Sequence, residues 1–388
     1  VTATRSVLVV GASLAGATVA TELRERGFSG SITVVGDEPH RPYDRPPLSK
    51  AFLKDSTADP WLTPDADTSD IEWILGTAAV DISGRTVTLS DGRELSADVA
   101  VIATGARART LLGAAELRGV HTLRTLDDAT ALRESMATAR TMVVIGAGFI
   151  GAEVASTAAS LGITVTIVEA STQPLSGPLG LNMAAICVDL HRANGVTVLL
   201  GAAVDSLQGH GGAVSSVLLG DGTELQADVV VIGIGAVPNT EWAAASGLAI
   251  DGGFVTDAQC RTTVPGVYAI GDCARTFDDV LQDHHRSEHW SHAVAQARHV
   301  AGSIVGEPPP EGATLPYFWS DQYGARIQFA GRRQATDDVR VVEGSPDDGS
   351  FVAVYERADR VVAVLAMNNA RSFTRRRKAL AASMTTDA

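Results

Sequence analysis

Short apolar, β-branched runs punctuated by glycine set the rhythm of the chain. Val7-Leu-Val-Val10 ends at Gly11, a helical pattern runs from Ala17 to Arg26 and stops at Gly27, and Ile32-Thr-Val-Val35 follows as a second strand. Strand, glycine-rich turn, helix and strand in that order predict a βαβ unit. The pattern returns at Met142-Val-Val-Ile145, Gly146-Ala-Gly-Phe-Ile-Gly151, a helix to about Leu161, Gly162 and Val165-Thr-Ile-Val168. Two further stretches echo each other: Asp91 to Gly105 and Asp221 to Gly235 each read as a turn and strand, then an apolar strand ending in glycine. Gly306 to Pro310 reads as a linker. Beyond it Val339 to Val342, Phe351 to Tyr355 and Val361 to Ala366 alternate as short antiparallel strands do. The expected class is α/β, with two Rossmann-like units followed by a C-terminal α+β domain.

Composition narrows the function more than the fold. The 388 residues are 45% hydrophobic and 20% charged, the profile of a folded globular protein, and 38 glycines imply many tight turns or phosphate-cradling loops. A formal charge of -14 argues against a general nucleic-acid binder, which needs a cationic surface. The acidic excess lies before residue 306; after it basic and acidic residues balance. Cys187, Cys260 and Cys273 form no CxxC pair, which excludes a dithiol redox centre and a Cys-rich metal site. No apolar run of about 18 residues is present to span a bilayer. A cytoplasmic location is expected.

A dinucleotide pyrophosphate requires backbone N–H groups at a helix N-terminus and glycines that let the chain approach without a Cβ. Gly146, Gly148 and Gly151 supply the GxGxxG pattern, with Phe149 and Ile150 inside the same turn. Glu169 ends the following strand and can accept hydrogen bonds from both ribose hydroxyls; no basic residue follows closely to hold a 2′-phosphate, so NADH is expected over NADPH. Gly233, Ile234 and Gly235 close the return strand and would line the nicotinamide side. The first unit, Gly11-Ala-Ser13-Leu14-Ala15-Gly16, carries Ser13 where the second glycine is expected, but Asp37 and Glu38 at the end of its second strand restore a ribose-binding reading. Two different dinucleotides in one chain imply a flavin and a nicotinamide held face to face.

From Tyr43 the chain reads Tyr-Asp-Arg-Pro-Pro-Leu-Ser-Lys50, and other marks are Ala103-Thr-Gly105, Leu123-Arg-Thr125, Gly146 to Glu153, Gly233 to Asn239, Tyr268 to Asp272, Glu288-His-Trp290 and Tyr317 to Asp321. Over essentially its whole length the sequence resembles the FAD-dependent, NADH-linked ferredoxin reductases that serve Rieske-type oxygenases and haem monooxygenases, relatives of glutathione reductase without its disulfide. The resemblance implies an FAD-binding domain from residues 1–108 and 236–308, an NAD-binding domain at 109–235 and an interface domain at 309–388. It implies FAD contacts from Gly11, Ser13, Leu14, Ala15, Asp37, Glu38, Arg45, Lys50, Ala103, Thr104, Gly105, Arg124 and Asp272, with Val80 lining the adenine pocket. Glu288, His289, Trp290 and Trp319 would meet the flavin ring. Asp272, at the end of an apolar strand, also reads as the N-cap of a helix. Lys50, one of only three lysines, is expected to pair with Glu153, and the two would tune hydride transfer.

The stretch His284 to His292 holds four histidines, but no ligand spacing there fits a metal, and no metal is expected. The resemblance implies a transient partner, an acidic 2Fe-2S ferredoxin. A reductase of net charge -14 then needs a locally basic dock, for which Arg371, Arg375, Arg376, Arg377 and Lys378, with Arg332 and Arg333, are the candidates. Two alternatives carry the same motifs: a rubredoxin or quinone reductase, and an NADH-responsive binding protein resembling apoptosis-inducing factor.

Overall fold

The computed structural model describes residues 4–55, 57–62, 68–308 and 315–386. In the first unit β1 (Ser6–Val10) leads into α1 (Leu14–Glu25) and then β2 (Ser31–Val35), as the βαβ pattern predicts. With β3 (Glu72–Ile74), β4 (Val99–Ile102) and a strand that returns late in the chain at Val267–Ala269 they form a parallel five-stranded sheet. Its order, from the returning strand, is returning strand, β4, β1, β2, β3. Both faces are covered, so Val7–Val10 of β1 and the whole of β4 are apolar and buried. The helix starts at Leu14, earlier than the apolar pattern suggests, because the small residues after Ser13 already belong to its first turn.

The second unit repeats the plan. Here β5 (Val120–His121) and α2 (Leu126–Met136) precede β6 (Thr141–Ile145), α3 (Phe149–Ser160), β7 (Thr164–Glu169), α4 (Leu181–Ala193), β8 (Thr197–Leu200) and β9 (Val229–Ile232), in sheet order β8-β7-β6-β9-β5. The chain leaves the first unit along Ala106–Ala108 and comes back along Ala236–Pro238, and these two crossings pair antiparallel with each other. A shared core cements the units: Leu48, Phe52 and Leu53 of the first pack with Leu126, Leu132, Val144 and Ala155 of the second.

After α5 (Trp290–Val305), Gly306 caps the helix in the left-handed region. Pro309 and Pro310 of the expected linker lie outside the described residues. The chain then builds an antiparallel sheet from β10 (Tyr317–Gln322), β11 (Ala325–Gly331), β12 (Asp338–Ser345), β13 (Ser350–Arg357) and β14 (Arg360–Met367), in the order β10-β11-β14-β13-β12, and ends on α6 (Ala370–Thr386). One face of this sheet, with Phe318, Ile327, Phe351 and Tyr355, buries against Leu179, Met183 and Cys187 of the second unit, and Tyr355 Oη donates to Leu179 O at 2.7 Å. The other holds Phe373 of α6. The sheet is thereby fixed over the junction of the two Rossmann-like units.

The tight strand-to-helix turn tests this packing directly. A Cβ built on Gly16 falls 1.9 Å from Gly11 O. Gly16→Ala must therefore displace backbone, and a loss of about 1–3 kcal/mol is expected from chemical denaturation.

Candidate functional site

Three helix N-termini converge on one cavity of about 450 Å³. Its walls include Ser13, Leu14 and Ala15 from α1, Gly148, Phe149 and Ile150 from α3, and His289, Trp290 and Ala293 from α5. None of the three helices has a side-chain hydrogen bond at its N-cap, which is Ser13, Gly148 and His289 in turn. Their first N–H groups and dipoles are therefore available to an anion in the cavity. The turns leave little alternative to glycine where strand and helix meet: a Cβ on Gly11 would fall 2.1 Å from Ala103 O, and one on Gly146 2.3 Å from Gly233 O. At Gly148 the nearest such contact is 4.0 Å away, so that position opens on space. This is the geometry a pyrophosphate fits.

One carboxylate joins all three parts of the molecule here. Glu153 rises from α3 and is 3% exposed. Its Oε2 accepts Lys50 Nζ and Ser49 Oγ, each at 2.6 Å, from the first unit, and its Oε1 accepts Ser320 Oγ at 2.7 Å from β10. Thr157, one turn further along α3, donates to Ser49 O, and Gln322 donates to Ser320. Lys50 sits on a 3-10 turn, Pro46–Ser49, whose prolines fix its course, and donates also to Pro46 O at 3.0 Å. The pair expected between Lys50 and Glu153 is formed.

The remaining cations of the cavity are held by carboxylates. Arg124 bonds Asp272 at 2.6 Å and Ala106 O at 2.8 Å. Arg45 pairs with Glu38 at 2.8 Å, reaches Ser13 Oγ at 3.3 Å and donates to Arg124 O. Glu38 also accepts from Tyr43, whose hydroxyl receives Leu126 N–H. Burial, with Glu38 beside it, pushes the Tyr43 phenol well above its ordinary value. Glu38 thus faces Arg45 and Tyr43, and Asp37 is the exposed carboxylate at the end of β2. Asp272 does not cap a helix: it lies in the 3-10 turn Gly271–Cys273, which runs straight into the strand Ala274–Asp278, so its carboxylate is free to take Arg124.

A second cleft of about 490 Å³ opens along Gly146, Gly148, Glu169, Gly233, Ile234 and Gly235 and continues past Ser171, Gln173 and Gly177. It shares Gly148, Gly233 and Gly235 with the first cavity, so the two adjoin along these glycines. The Glu169 carboxylate accepts Ala147 N–H at 2.8 Å and Ser171 N–H at 2.7 Å, which fixes it at the rim.

Most of the expected positions meet in these two spaces. Ala103, Gly105, Glu288 and Trp319 line the first cavity with those already named. Gly11, Gly151, Asp37, Glu38 and Thr104 support the walls without lining it; Thr104 Oγ1 donates instead to Asn239 O. Val80 is 47% exposed and outside both linings. Ser49, Ser320 and Phe318 were not singled out from sequence; the serines flank recognised positions, but nothing local announces their contact with Glu153. The cysteines are free and buried, and burial pushes the thiols of Cys187 and Cys260 up to about 12. Among the described residues no group of His, Cys, Asp and Glu is placed to hold a metal.

The basic cluster divides. Arg332 is turned inward, its side chain 12% exposed and paired with buried Asp278 at 2.8 Å, and Arg333 reaches Gly177 O. Neither presents a docking face, which corrects the expectation for both. Arg375 leans toward Glu343 at 3.4 Å, and Arg376 Nε is buried. Arg371 and Lys378 are exposed, while Arg377 lies 4.2 Å over the Tyr317 ring. That ring stacks on Trp319 at 5.9 Å, and Trp319 meets Trp290 edge-on at 6.3 Å. The outer end of α6 is therefore linked to the cavity wall by aromatic contact.

Comparison with known proteins agrees with this arrangement. A family described as pyridine nucleotide-disulphide oxidoreductase matches residues 5–297, and one described as reductase C-terminal matches residues 317–388. The chain is 39% identical to rhodocoxin reductase of Rhodococcus erythropolis, over 98% of this chain and 90% of that one. It is 36% identical to rubredoxin-NAD(+) reductase of Pseudomonas putida, over 94% and 96%. The reductase in the crystal structure of a covalent putidaredoxin reductase-putidaredoxin complex superposes with a TM-score of 0.92 at 36% identity, over 98% of this chain and 94% of that one.

The Glu153 junction makes a stability prediction. Glu153→Ala strands the Lys50 ammonium and two hydroxyls, and a loss of about 3 kcal/mol is expected, at the low end for a broken buried pair because Lys50 keeps 21% of its side chain in solvent. Ser320→Ala removes one neutral donor and should cost about 1–2 kcal/mol. Both are read by equilibrium denaturation.

Proposed function

The chain belongs to the pyridine nucleotide-disulphide oxidoreductase family, and from that premise we infer that it is a flavoprotein reductase passing electrons from NADH through FAD to a 2Fe-2S ferredoxin that supplies an oxygenase. The observation that carries this reading is that two dinucleotide-type clefts adjoin at Gly148, Gly233 and Gly235, with no dithiol beside them. When bound, FAD would supply the conversion of a hydride's electron pair into two single electrons.

The chain's own groups position the reactants. The N-terminus of α1, with Ser13, Leu14 and Ala15, takes the FAD pyrophosphate, Arg45, Arg124 and Asp272 hold its ribitol and phosphate region, and Asp37 is the better-placed ribose acceptor. The loop Gly146–Gly151 takes the NADH pyrophosphate and Glu169 its ribose hydroxyls. Lys50, held by Glu153, places a positive charge at the junction, where negative charge develops on reduction. The α5 N-terminus at Glu288, His289 and Trp290 adds to the same field. Proximity and orientation dominate hydride transfer, so these groups tune the step and none need carry a proton for it. Free, deeply buried thiols and the use of NADH are in keeping with a cytoplasmic location.

Ferredoxin docks on α6, where Arg377 lies over the Tyr317 ring and Arg371 and Lys378 are exposed. An acidic partner is steered there by charge, so its association rate falls with salt. The likeness to a rubredoxin reductase keeps a second one-electron iron protein as the alternative acceptor.

Neutralising Arg371, Arg377 and Lys378 together is expected to lower kcat/KM for a 2Fe-2S ferredoxin by tenfold or more and to flatten its salt dependence. NADH reduction of a small-molecule oxidant should be unchanged. An unaltered ferredoxin kcat/KM and salt slope would place the dock elsewhere. The same assay should give NADH a kcat/KM at least tenfold above that of NADPH.

A further inference from the structure

Three imidazoles stand at and beside the first cavity, none of them needed to carry a proton for hydride transfer. His289 caps α5 and lines the cavity with Asp272, and His292 lies in the first turn of that helix. His285 ends the strand Asp283–His285. The rings of His285 and His292 are 6.1 Å apart, and that of His289 packs 4.9 Å from Phe318 of β10. Nδ1 of His285, Nδ1 of His289 and Oγ of Ser287 between them are buried without a hydrogen-bond partner among the described residues. Buried positions that served packing alone would carry apolar side chains, because unpaired buried polar atoms are costly.

Every element around the cluster contributes charge. Asp272 in the 3-10 turn and Glu288 before α5 favour the charged form of His289; Asp278 and Asp283 favour that of His285. Arg332, paired with Asp278, opposes charge on His285 and His292, and the histidines oppose one another. Burial dominates and holds all three below the ordinary imidazole range, His292 down to about 4. The positive end of α5 acts in the same sense. The cluster is thus neutral at neutral pH and borders the cavity through His289, and the exposed Asp283 lies on the strand that His285 ends.

We propose that His285, His289 and His292 form a redox-linked proton site, which takes up one proton when the cofactor in the adjoining cavity is reduced and returns it on reoxidation. This rests on the flavoprotein reading above. Hydride transfer delivers two electrons and one proton from NADH, leaves NAD+, and puts one net negative charge in the cavity. That charge favours the imidazolium form of the cluster, and the second proton comes from solvent. Two one-electron acceptors then remove both electrons, and both protons return to solvent. The site would limit charge build-up between the two halves of the cycle.

The test is the midpoint potential of the flavin-loaded protein against pH, poised by an electrode with mediators, together with the protons taken up on reduction in weakly buffered solution. For a two-electron couple each proton contributes ~30 mV per pH unit, the potential equivalent of a tenfold change. The slope should be ~60 mV per pH unit between the oxidised-state and reduced-state values of the cluster, falling to ~30 mV above the latter. His289→Asn with His292→Asn, and separately His285→Asn, should narrow or abolish the steep region and lower proton uptake from two toward one. A slope of ~30 mV throughout from pH 5.5 to 8 in the unaltered protein would overturn the proposal. So would a ~60 mV slope kept by both variants, which would place the second proton on the cofactor. A protein that binds no flavin, or whose flavin NADH does not bleach, would instead defeat the functional reading, since the potentials are set without NADH.

Discussion

A carboxylate buried to 3% exposure must be satisfied by its neighbours, and the way Glu153 is satisfied fixes the relation of all three parts of this chain. Its partners come from the Pro46–Lys50 turn of the first Rossmann-like unit and from β10 of the C-terminal domain, while Glu153 itself rises from α3 of the second. A shift of any one part would leave a buried charge or hydroxyl unpaired. The apolar contacts around it, Phe52 and Leu53 with Leu132 and Ala155 on one side and Phe351 and Tyr355 with Met183 on the other, supply the bulk of the stability. The polar junction supplies the register.

That register is what makes one cavity out of three helix ends. The helices α1 and α3 come from repeated units, each carrying its own tight glycine turn, and would point at separate ligands if the units were apart. Held together, their N-termini line the same wall, and the cleft beside Glu169 adjoins that cavity at Gly148, Gly233 and Gly235. The C-terminal domain closes the remaining side with Phe318 and Trp319 and carries the basic helix α6.

The repeated βαβ pattern made the two Rossmann-like units legible, because a buried parallel strand is apolar along its whole length and a phosphate turn allows few residues but glycine. The Lys50–Glu153 pair was legible only through family resemblance. What the sequence hid are contacts that depend on the third dimension: Ser49 and Ser320 are unremarkable residues until β10 is laid over α3. Arg332 looked like surface charge because its carboxylate, Asp278, lies far along the chain. Asp272 resembled an N-cap because an acidic residue after an apolar strand commonly opens a helix; here the chain turns once and becomes a strand again.

The account turns on electrons passing through a single cavity in two steps of different size. Anaerobic rapid mixing follows both: flavin absorbance on adding NADH, and its recovery on adding an oxidised 2Fe-2S ferredoxin. Fast bleaching by NADH, followed by ferredoxin-dependent recovery that consumes two ferredoxins per flavin, is the predicted result. A long-lived charge-transfer band that ferredoxin cannot discharge would contradict it, and would mark the chain as an NADH-responsive binder.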